Sequence, residues 1–265
     1  YDDIDRRYGG DASAALREQV AKALYNKGVR LGQLDRSEEA ISVYDDIDRR
    51  YGGDASAALR EQVAKALYNK GVRLGQLDRI EEEISVYDDI DRRYGGDASA
   101  ALREQVATAL VNKGVALGQI DRTEEAISVY DNIDRRYGGD ASAALRELVA
   151  KALNGRAFSR LLQAKRHWRV EFERPSLLSL AISDLRRVKQ QCATRDLAIV
   201  LGNLGYALFL SGEVDEAEVH TRECLRLGQA TSLQAQRSDA RLHRIEPQDS
   251  EYERLLDRLW DEIHR

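Results

Sequence analysis

The chain has 265 residues, 33% charged and 43% hydrophobic, with a formal net charge of −5, two prolines, two cysteines and no methionine. So few prolines argue against a turn-rich sandwich or barrel, and the wealth of Ala, Leu, Glu and Arg favours helix. No apolar run reaches the roughly 18 residues of a membrane span and no charged-then-apolar leader opens the chain, so an all-α cytoplasmic protein without membrane attachment is expected.

The string YDDIDRRYGGDASAALRE begins at Tyr1, Tyr44 and Tyr87 and recurs at Tyr130 with only Asn132 changed, a period of 43 residues. Residues 1–43 and 44–86 differ only at Ser37/Ile80 and Ala40/Glu83. Such identity points to recent duplication or to an engineered repeat. The third copy carries Thr108, Val111, Ala116, Ile120 and Thr123 in place of Lys22, Tyr25, Arg30, Leu34 and Ser37, and the fourth diverges after about Leu153. A period in this range is the signature of stacked supersecondary units, and self-similarity decides the architecture before local propensity does.

Two helices are predicted per copy. In the first, over about 12–34, Leu16, Val20, Leu24, Gly28 and Leu31 share one stripe behind a Gly9-Gly10-Asp11 stop and N-cap. In the second, Ala40, Tyr44, Ile47 and Tyr51 recur at steps of four, three and four, Asp35 and Glu38 have capping-box spacing, and Gly52-Gly53 ends the helix. A lone hairpin cannot bury both of its faces, so neighbouring hairpins must stack into a solenoid. Further on, 164–174 breaks the pattern, Pro175-Ser176 opens a helix to about 191, a helix is expected near 232–243, and Pro247 precedes a last one. The expected organisation is a hairpin array at 1–163, an irregular segment and helix completing the fourth hairpin at 164–194, a further unit at 195–228, and capping helices at 229–265.

Little in the sequence speaks for catalysis. His167, His220, His243 and His264 show no paired spacing, and there is no phosphate loop or nucleophile elbow. Cys192 and Cys224 make no CxxC and read as thiols in a reducing compartment. Asp45, Asp46 and Asp48 resemble a magnesium-holding cluster, but Asp45 with Arg49 and Asp46 with Arg50 are i,i+4 pairs that suit a solvated face. No enzyme activity, cofactor or metal is therefore expected. Residues 1–129 carry net −6 and residues 130–265 net +1, a balance that repels nucleic-acid phosphate. The one basic-aromatic run, 165–169, reads as loop surface anchored by Trp168, with a protein contact as the lesser alternative. A chain without Met lacks an initiator, which points to a fragment of a longer protein.

The segment from Asn203 to Cys224, with Leu204, Gly205, Leu208, Gly212, Ala217 and Cys224 in register, resembles one unit of the tetratricopeptide repeat. The same register places Gly28, Leu31, Ala40, Tyr44 and Ile47 at the family's Gly, large, Ala, aromatic and small-apolar positions. HEAT-type and armadillo-type units share the period, but residues 1–174 hold no proline, unlike the kinked first helix of HEAT. With about nine residues added to a 34-residue unit, the array is similar to the long variants of about 42 to 43 residues found in bacterial proteins and kinesin light chains. Lys27, Lys70 and Lys113 depart from the family, standing where it has a buried Leu.

The resemblance implies a protein-binding scaffold whose first helices line a concave face. On that face it places Lys22, Tyr25, Asn26 and Val29, then Lys65, Tyr68, Asn69 and Val72, then Val111, Asn112 and Val115, and finally Asn203 and Tyr206. In the family that Asn bonds the backbone of an extended peptide; the alternative is that it joins neighbouring helices. Gly32 is expected to leave a dent in this wall, and Glu83 to lie opposite Gly71 unless Ile80 turns its helix and frees the carboxylate. Other readings are a regulatory or oligomerising arm of a multidomain enzyme, self-association through Tyr1, Ile4 and Tyr8, and an engineered solenoid.

Overall fold

The computed structural model describes residues 2–8, 13–169, 173–191 and 194–265, in two compact units, 1–120 and 121–265. Twelve helices and no strand occur among them. The N-terminal unit holds α1 (Asp2–Tyr8), α2 (Ala14–Gln33), α3 (Ser37–Tyr51), α4 (Ala57–Gln76), α5 (Ile80–Tyr94) and α6 (Ala100–Gln119). Each helix packs on the next, and the long helices also touch one another, α2 with α4 and α4 with α6. The backbones of the short helices α3 and α5 do not approach each other in this way.

The stripes seen in the sequence form the core. Val20, Leu24 and Leu31 of α2 and Tyr44, Ile47 and Tyr51 of α3 are buried, and the copies repeat the pattern through Leu67, Leu74, Tyr87, Ile90 and Tyr94. Each fully buried side chain of this size stabilises by about 1.5–3 kcal/mol. Gly28 is required at the crossing, because a Cβ there would stand 2.5 Å from the Tyr44 ring, and Gly71 meets Tyr87 in the same way.

Two boundary expectations need correction. Asp35 does not cap α3; with φ 57 it lies in the left-handed region that follows α2, and Asp78 (φ 60) repeats it after α4. The preceding helix needs such a residue to close its last carbonyls, and Arg36 N–H bonds Leu31 O at 3.0 Å. Arg36 is thereby left as N-cap without a side-chain cap bond, its guanidinium clamping Glu39 through two 2.6 Å bonds. Nor does the linker aspartate cap the long helix: Ser56 is the N-cap, and Asp54 accepts from Ser56 N–H at 2.9 Å. In the first copy the corresponding Gly9–Asp11 stretch lies outside the described residues.

The second unit comprises α7 (Thr123–Tyr137), α8 (Ala143–Arg166), α9 (Arg174–Lys189), α10 (Thr194–Ser211), α11 (Val214–Arg241) and α12 (Gln248–His264). Pro175 opens α9 where its missing N–H costs nothing. Gln229, at φ 52 and ψ −143, breaks α11 into two helical parts. α8 runs through residues 164–166, so Lys165 belongs to a helix and is buried. The basic run is thus not simply loop surface: only its last residues, 167–169, leave the helix, where Arg174 lies over the Trp168 ring at 4.5 Å.

Candidate functional site

On the N-terminal unit the residues expected on the inner face fall on α2, α4 and α6 with graded exposure. Lys22 is exposed, Tyr25, Asn26, Val29, Lys65, Tyr68, Asn69, Val72 and Asn112 are half-buried, Val111 is buried and Val115 is exposed. The asparagines join helices. Asn69 Nδ2 donates to Tyr25 Oη at 3.0 Å and Asn112 Nδ2 to Tyr68 Oη at 3.1 Å, each crossing from one long helix to the next. The Tyr25 ring leans on Tyr44 with centroids 6.4 Å apart, and burial pushes the Tyr44 hydroxyl up to about 12. Asn26, with no such tyrosine before it, makes no side-chain hydrogen bond among the described residues.

Charged side chains brace these rungs. Lys70 Nζ reaches Asp45 at 2.6 Å and Lys113 Nζ reaches Asp88 at 2.5 Å, so the lysines that stand where the family has leucine end on carboxylates of the preceding short helix while their stems cover apolar surface. Asp45 therefore does not pair with Arg49; Arg49 and Arg50 both take Asp46. Arg17 bonds Asp54 and Arg60 bonds Asp97, both at 2.6 Å.

The expected dent at Gly32 is filled by the Arg73 guanidinium, whose Cζ would lie 2.8 Å from a Cβ and whose Nη1 donates to Gly32 O at 3.2 Å. Glu83 lies opposite Gly75 rather than Gly71, with Oε2 only 2.4 Å from where a Gly75 Cβ would sit. It is 8% exposed, and burial raises its carboxyl above the usual range while the Tyr87 hydroxyl pulls it back. α5 buries the same positions as α3, with Ile84, Tyr87, Ile90 and Tyr94 matching Ile41, Tyr44, Ile47 and Tyr51, so Ile80 does not turn the helix and Glu83 does not reach solvent.

In the second unit Asn203 keeps the rung, donating to Asn154 Oδ1 at 3.1 Å. Tyr206 does not stand on an open face. It is 1% exposed and stacked on Tyr252 with centroids 4.6 Å apart; its hydroxyl accepts from Lys165 Nζ at 2.7 Å and donates to Asp249. Lys165 also donates to Ala240 O at 3.0 Å and pairs with Asp249 at 3.1 Å. This closed polar cluster ties the end of α8 to α10, to the end of α11 and to the start of α12. Tyr206 is thus enclosed by α8, α11 and α12 instead of facing outward.

Along the first half of α8, away from Lys165, a cleft of about 470 Å³ opens between α8, the end of α9 and the start of α10. Its α8 wall carries Arg146, Lys151 and Asn154, the fourth copy's counterparts of Arg17, Lys22 and Tyr25, together with Glu147, and faces Asp196 of α10. It therefore lies on the helix face that carries the tyrosine rungs in the first two copies. Val188, Val200 and the 59% exposed Ile199 supply apolar surface. Sequence reasoning missed these residues; the signal was the loss of repeat identity at Asn154 and Gly155, where a ring-bearing position becomes a short amide.

Among the described residues no group of three or more His, Cys, Asp or Glu could hold a metal, and no helix is long and apolar enough to cross a membrane. His220 is buried, with its charged form disfavoured first by burial, and His264 bonds Trp260 O at 2.8 Å. Cys224 is a buried free thiol; Cys192 lies outside the described residues.

No family model and no curated protein matches the sequence. Solved structures do match the fold. The MamA RS-1 ArsTM double mutant superposes with a TM-score of 0.53 at 18% identity over 79% of this chain and 95% of that one. MamA 41-end from Desulfovibrio magneticus RS-1 gives 0.53 at 17% identity over 79% and 96%. BtubC (BKLC) from P. vanneervenii gives 0.61 at 16% over 86% and 87%. At these identities the likeness establishes the fold, an all-α helical repeat of stacked antiparallel hairpins.

Proposed function

We propose that this chain is a non-enzymatic scaffold that binds a protein or peptide along the inner face of its long helices, and that its hairpins are long-variant tetratricopeptide units. The observation that carries this reading is the recurrence, at one spacing, of a half-exposed surface with mixed chemistry. Lys22, Tyr25 and Val29 on α2 are repeated by Lys65, Tyr68 and Val72 on α4. An extended segment crossing such a face meets the same apolar and hydrogen-bonding groups in each copy. Because Asn69 and Asn112 already spend a donor on tyrosines, the asparagines act first by holding the rungs, and a bound chain would meet Lys, Tyr ring and Val surface. Neither bound nucleic acid nor a membrane fits an array whose first three copies, residues 1–129, carry net −6.

The test is site-specific photocrosslinking against an immobilised random-peptide library. A benzoyl-phenylalanine at Val29 or Val72 should capture peptides, and one at Ser42 or Ser85 on the short helices should not. Capture from Ser42 and Ser85 alone would move binding to the opposite surface.

A further inference from the structure

We infer that the cleft between α8, the end of α9 and α10 is a pocket for an acidic-apolar peptide element, an aliphatic side chain followed or preceded by an Asp side chain, with Arg146 as the carboxylate anchor. This rests on the scaffold reading above and names the chemistry of one pocket on the long-helix face. The repeat supplies its own controls. Arg17 and Arg60 stand at the same position in their copies, and each is occupied by an aspartate from the linker after the following short helix, Asp54 and Asp97, at 2.6 Å. In the fourth copy that linker begins Gln190-Gln191 and contains no acidic residue. Among the described residues Arg146 has no side-chain hydrogen bond or ion pair, and it is exposed. A guanidinium that is matched twice by an aspartate within this chain is here left open to a carboxylate from outside.

The second control is the tyrosine position. Tyr25 and Tyr68 place a ring on this face, whereas Asn154 leaves room and turns its carbonyl to Asn203. The amide Nδ2 of Asn154 makes no hydrogen bond among the described residues, which adds a second unspent donor to a wall that already holds Arg146. Facing them, Ile199 stands where the α10 register would place Lys65, and 59% of it is exposed beside the buried Val188 and Val200. A volume of about 470 Å³ is in the range of ligand pockets and takes one branched side chain together with its neighbours. Two carboxylates, Glu147 and Asp196, also line the cleft, but each is already partnered, Glu147 by Lys151 at 2.8 Å. The open groups are therefore the two donors, which beside the apolar walls favour an acceptor-rich ligand with an apolar flank. The internal precedent, an aspartate side chain in a linker, selects a carboxylate within a peptide over a chain terminus.

The probes are the blocked tripeptides Ac-Leu-Asp-Leu-NH2 and Ac-Leu-Asn-Leu-NH2, titrated into the whole chain at low salt and followed by NMR of Ile and Val methyl groups. The Asp peptide should shift the Ile199, Val188 and Val200 methyls and bind about tenfold or more tightly than the Asn peptide, the ratio expected for one charge-assisted pair. Arg146→Gln should erase that ratio, and Asn154→Tyr, which restores the residue type of the first two copies, should abolish the shifts while leaving the circular dichroism melt intact. Equal binding of the two peptides, shifts that survive Asn154→Tyr, or no binding by either would overturn the assignment. Loss of the pocket alone, with crosslinking at Val29 and Val72 retained, would leave the scaffold reading standing; a free-terminus peptide Leu-Leu-Asn-OH that binds better than the Asp probe would overturn the side-chain assignment in favour of a terminus.

Discussion

Asn69 donates its amide to Tyr25 across 3.0 Å, from the second copy's long helix to the first's, and the same bond recurs between Asn112 and Tyr68 at 3.1 Å. Tyrosine and asparagine also disappear in step along the sequence, with Val111 at the tyrosine position of the third copy and Gly155 at the asparagine position of the fourth. A paired loss of donor and acceptor is what a rung between successive copies demands, since a half-buried amide without its acceptor forfeits a hydrogen bond.

Tyr25→Phe should therefore destabilise the N-terminal unit by about 0.5–1.5 kcal/mol, because the ring contact with Tyr44 survives and only the hydroxyl is lost. Tyr68→Phe should cost a similar amount. A double-mutant cycle of Tyr25→Phe with Asn69→Ala, measured by urea unfolding, should return a coupling of that order. Strictly additive effects would mean that the two residues stabilise their helices separately.

Glu83 answers a second question of complementarity. The notch at Gly32 is filled from the next copy by Arg73, whereas the notch at Gly75 is filled by Glu83 from its own hairpin, and the third copy's counterpart of Arg73 is the short Ala116. Burial raises the Glu83 carboxyl, so the stability tied to its protonated form is complete below the unfolded carboxylate range and is lost as pH rises through the raised value. Glu83→Gln should then raise the melting temperature at pH 7 and leave it unchanged near pH 3.5. The double variant Glu83→Ala with Ala116→Arg, which rebuilds the first copy's arrangement, should be at least as stable as the parent; a clear loss would show that Glu83 makes a bond the notch geometry does not reveal.

The fold was largely legible because a 43-residue period exposes its own stripes: Tyr44, Ile47 and Tyr51 are buried where their spacing puts them. What spacing does not carry is which of two neighbours a polar side chain chooses. Asp35 has the spacing of an N-cap but is consumed by the left-handed close of the preceding helix, and Asp45 is drawn from Arg49 to Lys70, 25 residues away in sequence. Tyr206 was misplaced for the same reason. Its register is that of an inner-face residue, but Lys165 and Asp249, which enclose it, come from elements outside its repeat unit. Arg146 became visible only by comparison with its paired counterparts Arg17 and Arg60, a contrast that requires knowing that Asp54 and Asp97 are their partners.

Lys165 should be the least replaceable cation in the chain. Its ammonium and the Asp249 carboxylate are both 0% exposed, so Lys165→Met would strand a buried carboxylate held, among the described residues, by Tyr206 and the Ile245 N–H, which donates to it at 2.7 Å. Breaking one side of such a pair costs about 3–5 kcal/mol. The loss should appear first as faster amide hydrogen exchange in α12 and the second half of α11. Unchanged protection in those helices would show that apolar contacts, not the cluster, hold the cap.

Asp239 gives the cap a pH dependence of definite sign. Burial raises its carboxyl to about 6 from an ordinary 3.8, with the nearby Lys165 opposing the rise. Because the folded value lies above the unfolded one, the folded state holds the proton more tightly, and the associated stability is fully present below pH 4 and is lost as pH climbs through 6. Ionising this group at neutral pH accordingly costs the native state about 1–3 kcal/mol. Asp239→Asn keeps the shape, and it keeps the backbone carbonyl that accepts from Lys165 at 3.2 Å. It should raise the melting temperature at pH 7.5, with the gain shrinking through pH 6 and vanishing near pH 4. A gain that persisted at pH 4 would place the effect in packing, and a loss at pH 7.5 would mean that the ionised carboxylate stabilises Lys165 by more than its own burial costs.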